Sequence, residues 1–288
     1  MSHASRLREL LAGPTFIAPG CYDGLTALQI QQAGFDCAYL SGASVAFTRL
    51  GRPDIGLTTM TEVANVISNI RERIDIPLIV DGDTGFGNAL NTQRTIRLFE
   101  RMGASAIQLE DQTLPKRCGH LEGKTLVSTA EMLGKIRAAQ DARLDENTVI
   151  VARTDAISVS GLDEALDRGA AYADAGADVV FVESPLDDAQ LKVVGETLGT
   201  RVPLLANMVE GGKTPLHSAE ELGAFGFRVV IFPGAMLRVH TRAAAMYLET
   251  LKQDGTTAGM LDRMFDFKAV NSIIGTDELL ATGKKYGD

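Results

Sequence analysis

Eight short runs rich in Val, Ile, Leu and Ala recur along the chain, alternating with longer segments of helical periodicity, and this alternation is the mark of a parallel sheet covered by helices. The runs fall at 15–18, 37–40, 77–80, 106–109, 148–152, 178–182, 203–206 and 228–232. The helical segments fall at 24–33, 61–73, 91–102, 129–142, 162–175, 189–198 and 217–222, with one after the last run at 235–253. Three helix-to-strand turns repeat one design: QQAGFD at 31–36, RMGAS at 101–105 and ADAGAD at 173–178. In each, a Gly just past the helix can take the left-handed conformation that ends it. Eight strands at this spacing predict a closed (β/α)₈ TIM-type barrel rather than an open doubly wound sheet. GFGNAL at 85–90 lacks the full dinucleotide-binding pattern that would support the open alternative. At 288 residues, 45% of them hydrophobic, the chain can fill such a barrel as one domain, 1–288. A C-terminal helical extension over 256–288, with a helical pattern at 260–274, is a candidate for packing on a partner subunit.

In a barrel of this kind the chemistry sits at the C-terminal ends of the strands, so the residues that close each run are the ones to read. They are polar or ionisable: Ser41 and Gly42 after the second run, Asp81, Gly82 and Asp83 after the third, Glu110 and Asp111 after the fourth. Arg153, Thr154 and Asp155 follow the fifth, Glu183 and Ser184 the sixth, and Asn207 the seventh. One strand-end carboxylate often only caps a helix or solvates a loop, but a barrel gathers all these ends around a single mouth. Carboxylates from the third and fourth strands repel there unless they share a cation or a proton. An all-oxygen donor set points to a hard ion, Mg²⁺, with Mn²⁺ as a substitute. Asp81 and Asp83 are the first candidates, expected to face the same side of an extended strand, with Glu110 and Asp54 available to hold metal-bound waters.

The segment LEDQTLPKRCGHLEGK at 109–124 shows no helical pattern until about Ser128, and a long polar loop at a barrel mouth is a candidate lid. Within it Cys118 is flanked by Lys116, Arg117 and His120, cations that favour the thiolate. Read from these residues alone, Cys118 is a proton donor, a base, a nucleophile or an incidental thiol. Cys21 and Cys37 lie among apolar neighbours and read as inert small hydrophobes.

The net charge of −9 disfavours a general attraction to nucleic acid or anionic membrane, so an anionic small-molecule partner needs local basic groups. Three cysteines without a CxxC pair suggest neither a disulfide framework nor a zinc module and fit a reducing cytoplasm. The N-terminus has no apolar run of signal-peptide length, and no stretch approaches the roughly 20 apolar residues of a membrane span.

KRCGH at 116–120, DGDTGFGN at 81–88, QLEDQ at 108–112 and ARTDA at 152–156 resemble the isocitrate lyase and phosphoenolpyruvate mutase superfamily. YLSGASV at 39–45, LGRPDIG at 50–56 and LANMVEGGKTPL at 205–216 extend the likeness in order and register. KRCGH is similar to the carbon–carbon lyase branch, with its short 2-methylisocitrate and 2,3-dimethylmalate lyases, whereas the phosphorus–carbon mutases lack this Cys. The resemblance implies that Asp81 and Asp83 bind Mg²⁺ directly and Asp54 and Glu110 through water. It implies substrate contacts from Ser41, Gly42, Ala43, Gly119, His120, Arg153, Glu183, Asn207 and Arg238, and catalytic roles for Cys118, Arg153 and Glu183. It further implies a gating loop around Cys118 and a homotetramer built by exchange of a C-terminal helix.

The activity so implied is retro-aldol cleavage of a 2-hydroxy di- or tricarboxylate to a 2-oxo acid and a second carboxylic acid, with Cys118 protonating the carbanionic carbon. Two departures bear on the substrate. Phe267 stands where methylisocitrate lyases carry a further carboxylate-binding Arg, and Ala43 stands where they carry Gly, and both favour a dicarboxylate. The alternatives are an oxaloacetate hydrolase or decarboxylase, a phosphonopyruvate mutase or hydrolase, and a non-catalytic carboxylate-binding barrel. Pro233, where the hydrolases tend to place a Ser, and the presence of Cys118 argue against the enzymatic alternatives.

Overall fold

The eight apolar runs are the eight strands of a closed parallel barrel in a computed structural model that describes residues 2–119 and 121–287. In chain order they are β1 (Phe16–Cys21), β2 (Ala38–Leu40), β3 (Leu78–Asp81), β4 (Ala106–Glu110), β5 (Val149–Thr154), β6 (Val179–Val182), β7 (Leu204–Asn207) and β8 (Val229–Phe232). Each strand pairs with the next, and β8 closes on β1 with Phe16 opposite Val229 and Pro19 opposite Phe232. The polar residues that end the runs are still part of the ladder. Asp81 pairs with Gln108, Glu110 with Arg153 and Asn207 with Ile231, so these side chains leave the barrel from a rigid frame.

Pleating sorts each apolar run onto two faces. Val149 and Val151, Val179 and Phe181, and Val229 and Ile231 join Tyr39, Ile79 and Leu205 in one buried cluster. The intervening Ile150, Val180 and Val230 are equally buried on the opposite face. Each such side chain removed from water contributes about 1.5–3 kcal/mol, and a carboxylate in place of Val151 would break the cluster from inside.

Helix His3–Ala12 was not legible as an element in the apolar-run pattern, yet it packs Leu7 and Leu11 into the same cluster. Ser2 caps it by accepting from the Ser5 amide. Arg8 donates to the Asn147 carbonyl at 2.8 Å and pairs with Asp178 at 3.0 Å, both just before strands. The helix therefore covers the end of the barrel opposite the strand C-termini. The three repeated turns hold their glycines left-handed as expected, with φ of 86° at Gly34, 103° at Gly103 and 94° at Gly176.

The chain divides into two compact units, Met1–Ala235 and Met236–Asp288. The second holds most of helix Ala235–Asp254, a short 3₁₀ segment Ala258–Arg263, and helices Phe267–Ile274 and Thr276–Lys284. The pattern read at 260–274 is thus two elements, because Asp266 caps a new start by accepting from the Ala269 amide at 2.7 Å. No helix among the described residues is long and apolar enough to cross a membrane.

Candidate active site

The third strand ends two residues earlier than an extended face shared by Asp81 and Asp83 requires. β3 stops at Asp81, and Asp83 sits in a left-handed turn at φ 48°, so the two carboxylates do not share an extended strand face as expected. They meet because the turn folds back, with the Asp83 amide donating to Asp81 Oδ1 at 3.2 Å. Asp is among the few side chains that tolerate this conformation. The Asp83 carbonyl in turn accepts from the Glu110 amide at 2.9 Å, which fixes the ends of β3 and β4 to each other. Behind Asp81 runs a chain that sequence reading did not assign: buried Tyr39 donates to Gln108 Oε1 at 3.1 Å, and Gln108 Nε2 reaches Asp81 Oδ1 at 3.4 Å. Apolar runs hide such polar residues inside a barrel.

After β2, Ser41 caps the short helix Gly42–Val45 by accepting from the Ser44 amide. A Cβ on Gly42 would stand 2.9 Å from Asp81 Oδ2, so a residue without a side chain is what lets that carboxylate occupy its place. Ala43 follows, half-buried.

The described residues of the loop between β4 and helix Thr129–Ala142 form no helix, as expected, and a bridge between Gln112 and Leu126 pinches its base. The loop lies across the site. The Cys118 amide donates to the Asp54 carbonyl at 3.1 Å, and Cys118 itself is half-buried. Gly119 touches the floor so closely that a Cβ there would stand 2.4 Å from Arg153 Nη2 and 2.8 Å from Glu183 Cδ. Sequence adjacency misled on the neighbouring cations. Lys116 points into the carboxylates, at 2.5 Å from Asp54 Oδ1 and 2.6 Å from Asp83 Oδ1, and Arg117 donates to the Glu122 carbonyl. His120 lies outside the described residues.

Arg153 is the hub. Its Nε and Nη2 make a two-pronged contact with Asp155 at 2.9 and 3.0 Å, and the guanidinium lies 3.5 Å from both Glu110 and Glu183. It also stacks over the Phe181 ring at 5.1 Å. Glu183 accepts from Ser184 at 2.7 Å and from Asn207 Nδ2 at 3.1 Å, while Asn207 Oδ1 is buried without a hydrogen-bond partner among the described residues. Arg238 is on helix Ala235–Asp254, in the second unit. Phe267 begins helix Phe267–Ile274, also in the second unit, and is exposed.

Burial dominates the electrostatics. It pushes Glu110 well above the usual carboxylate range against the opposing pull of Arg153 and Lys116. Burial, with the like charges of Asp81 and Asp54, lifts Asp83 to about 6 despite Lys116. Burial alone would discharge Lys116, but Asp83, Glu110, Asp54 and Asp81 together hold it well above the usual lysine value. Cys21 and Cys37 are fully buried with thiols pushed far up, as expected of inert residues.

The donor set fits a divalent cation. Asp54, Asp81, Asp83 and Glu110 supply only oxygens, and a cationic group, the Lys116 ammonium, already stands between two of them. Glu110 Oε1 is buried with no hydrogen-bond partner among the described residues, an acceptor ready for an ion's water. No group of three His, Cys, Asp or Glu among the described residues forms a ready metal cage. The set suits an ion held by one or two carboxylates and otherwise by water.

A profile described as phosphoenolpyruvate phosphomutase matches residues 7–252. The chain belongs to the phosphoenolpyruvate phosphomutase family. The 2,3-dimethylmalate lyase of Eubacterium barkeri is 45% identical over 287 residues, covering 99% of each chain. A crystal structure of 2,3-dimethylmalate lyase superposes with a TM-score of 0.94 at 38% identity, over 100% of this chain and 96% of that one. Oxaloacetate acetylhydrolase, bound to 3,3-difluorooxalacetate, gives 0.94 at 36%, over 99% and 97%. Phosphonopyruvate hydrolase in complex with oxalate and Mg²⁺ gives 0.90 at 29%, over the whole of both chains. One barrel thus serves several reactions, and the residues at its mouth decide among them.

Proposed function

We propose that the protein is a Mg²⁺-dependent carbon–carbon lyase that cleaves a 2-hydroxy dicarboxylate of the substituted-malate type into a 2-oxo acid and a second carboxylic acid. The observation that carries this reading is the seating of the Cys118 loop on Arg153 and Glu183, beside the carboxylates that end β3 and β4. The likeness to 2,3-dimethylmalate lyase supports the reaction class.

Asp81 and Asp83 would hold Mg²⁺, or Mn²⁺ in its place, with Asp54 and Glu110 acting through water. When bound, the ion supplies Lewis acidity to the substrate's 2-oxygen and offsets the charge of its adjoining carboxylate. The residues of the chain do the rest. Arg153 presents its guanidinium to a substrate carboxylate, and its fixed two-pronged contact with Asp155 sets the angle of approach. Glu183, Asn207, Ser41 and the backbone at Gly42, Ala43 and Gly119 bound the remaining oxygens. His120 and Arg238 belong to the same proposed set. As the C2–C3 bond breaks, the 2-hydroxyl gives its proton to a carboxylate of the site and becomes the carbonyl, the electron pair stays on C3, and Cys118 Sγ gives C3 its proton while the seated loop keeps water away.

Phe267 and Ala43 in place of Arg and Gly favour a dicarboxylate substrate. The exposed apolar side chains of the second unit, among them Leu248, Phe265, Phe267 and Leu279, support a homotetramer in which residues 256–288 pass between subunits. Three cysteines without a disulfide suit a cytoplasmic setting.

A steady-state screen of alkylmalates, methylisocitrate, isocitrate and oxaloacetate with Mg²⁺ tests the reading. Cleavage of an alkylmalate to a 2-oxo acid supports it. Oxalate and acetate from oxaloacetate as the sole products would replace it with a hydrolase.

A further inference from the structure

Lys124 is a second lysine on the Cys118 loop, and the proposed chemistry leaves it without a role. Its side chain is 1% exposed, yet Nζ donates to the Gly119 carbonyl at 2.5 Å and to Asp155 Oδ1 at 2.7 Å. Asp155, fully buried, is the carboxylate that grips Arg153 through both Nε and Nη2. One carboxylate therefore links the outgoing arm of the loop to the guanidinium beneath it. Arg153 and Lys124, which share Asp155 Oδ1, together outweigh the burial that would otherwise protonate Asp155, and its carboxyl is held below the usual value.

Asp155 is itself fixed from behind. Its amide donates to Asp111 Oδ1 at 3.0 Å, and Asp111 Oδ2 accepts from Thr154 at 2.8 Å, Tyr172 at 2.7 Å and Arg168 at 3.1 Å. A buried ammonium with an uncompensated partner is costly, so Lys124 leaves this place only if the loop unseats. Gly119, whose carbonyl Lys124 holds, follows Cys118 directly and is the residue pressed against Arg153 and Glu183.

We infer that the buried Lys124–Asp155 pair is a positioning strut that ties the seated conformation of the Cys118 loop to the orientation of Arg153. Neither residue touches the reacting atoms; each acts through Gly119 or Arg153. The inference rests on reading the loop as a lid. Its test uses neither substrate nor metal, so it stands or falls separately from the lyase assignment.

The test is the rate at which iodoacetamide alkylates Cys118 in the full-length protein, with C118S as the blank and the buried Cys21 and Cys37 silent. Loss of a charge-assisted hydrogen bond predicts that K124M raises this rate by about tenfold or more while the circular dichroism spectrum at the assay temperature stays that of the folded wild type. K124R, which keeps a cation and donors, restores part of the protection. D155N raises the rate as well, and the K124M/D155N double variant alkylates no faster than the faster single variant, because both changes remove one strut. If K124M does not fold, K124Q is read in the same way. Alkylation within twofold of wild type in folded K124M or K124Q, or effects of Lys124 and Asp155 that multiply, overturns the inference.

Discussion

Lys116 Nζ lies 2.6 Å from Asp83 Oδ1 and 2.5 Å from Asp54 Oδ1, so the loop that carries Cys118 delivers its own cation to one carboxylate just past β3 and another in the segment between β2 and β3. A divalent ion entering there meets a positive charge already in place. K116M is therefore expected to bind Mn²⁺ more tightly, by about tenfold for each 1.4 kcal/mol of repulsion removed. Titration calorimetry measures it, and unchanged or weaker binding contradicts the arrangement. Turnover falls in the same variant, since Lys116 also anchors the loop.

The Asp83 carboxyl, lifted to about 6 in the folded protein from an ordinary value near 3.8, gives a pH dependence with a definite sign. The folded state holds this proton more tightly than the unfolded chain does, so its contribution to stability is full below about pH 3.8 and is lost as pH rises through about 6. Mg²⁺ replaces the proton only where Asp83 is ionised. The rise in melting temperature on adding Mg²⁺ should be small at pH 5 and large at pH 7, and an increment independent of pH would count against Asp83 as a ligand.

Cys118→Ser keeps the shape of the loop and replaces the thiol with a much weaker acid. Turnover is expected to fall by about 10²–10⁴ while Mn²⁺ affinity stays near wild type. Activity unaffected by the change would remove Cys118 from the chemistry.

Tyr172→Phe deletes the hydroxyl that donates to Asp111 Oδ2 at 2.7 Å in a fully buried network. Asp111 keeps Thr154 and Arg168, so the expected loss is about 1–3 kcal/mol of stability rather than unfolding. Urea denaturation reads it as a lower midpoint at an unchanged slope.

Much of this architecture is written in local chemistry. The eight strands were legible because parallel strands buried on both faces are apolar throughout, and Gly34, Gly103 and Gly176 marked turns that only a left-handed residue closes cheaply. Asp81, Asp83 and Glu110 were legible as a group because a barrel sends every strand end to one mouth, whereas Asp54 lies between β2 and β3 and is tied to Asp83 through Lys116. Their exact relation was not. Asp81 and Asp83 meet through a backbone turn, and periodicity carries no sign of a φ of 48°. The roles of Lys116 and Lys124 were hidden for a similar reason. Both lie near Cys118 in sequence, but a loop without periodicity does not reveal where its side chains point, and each ammonium reaches a carboxylate from a different strand end or loop. Helix His3–Ala12 had its signals, a Ser2 cap and the spacing of Leu7, Leu10 and Leu11, yet it stood outside the strand–helix alternation that organised the reading.

The proposed reaction is tested most directly by incubating 2,3-dimethylmalate with the protein and Mg²⁺ in D₂O and identifying the products by NMR. Breaking the bond between C2 and C3 leaves the 2-hydroxyl carbon as a carbonyl and requires C3 to take up one hydrogen. Pyruvate and propionate are expected in equal amounts, with one solvent deuterium at C2 of propionate and loss of both products with EDTA or in C118S. Intact dimethylmalate across a range of Mg²⁺ concentrations, with rapid conversion of oxaloacetate to oxalate and acetate by the same preparation, would contradict the proposed reaction.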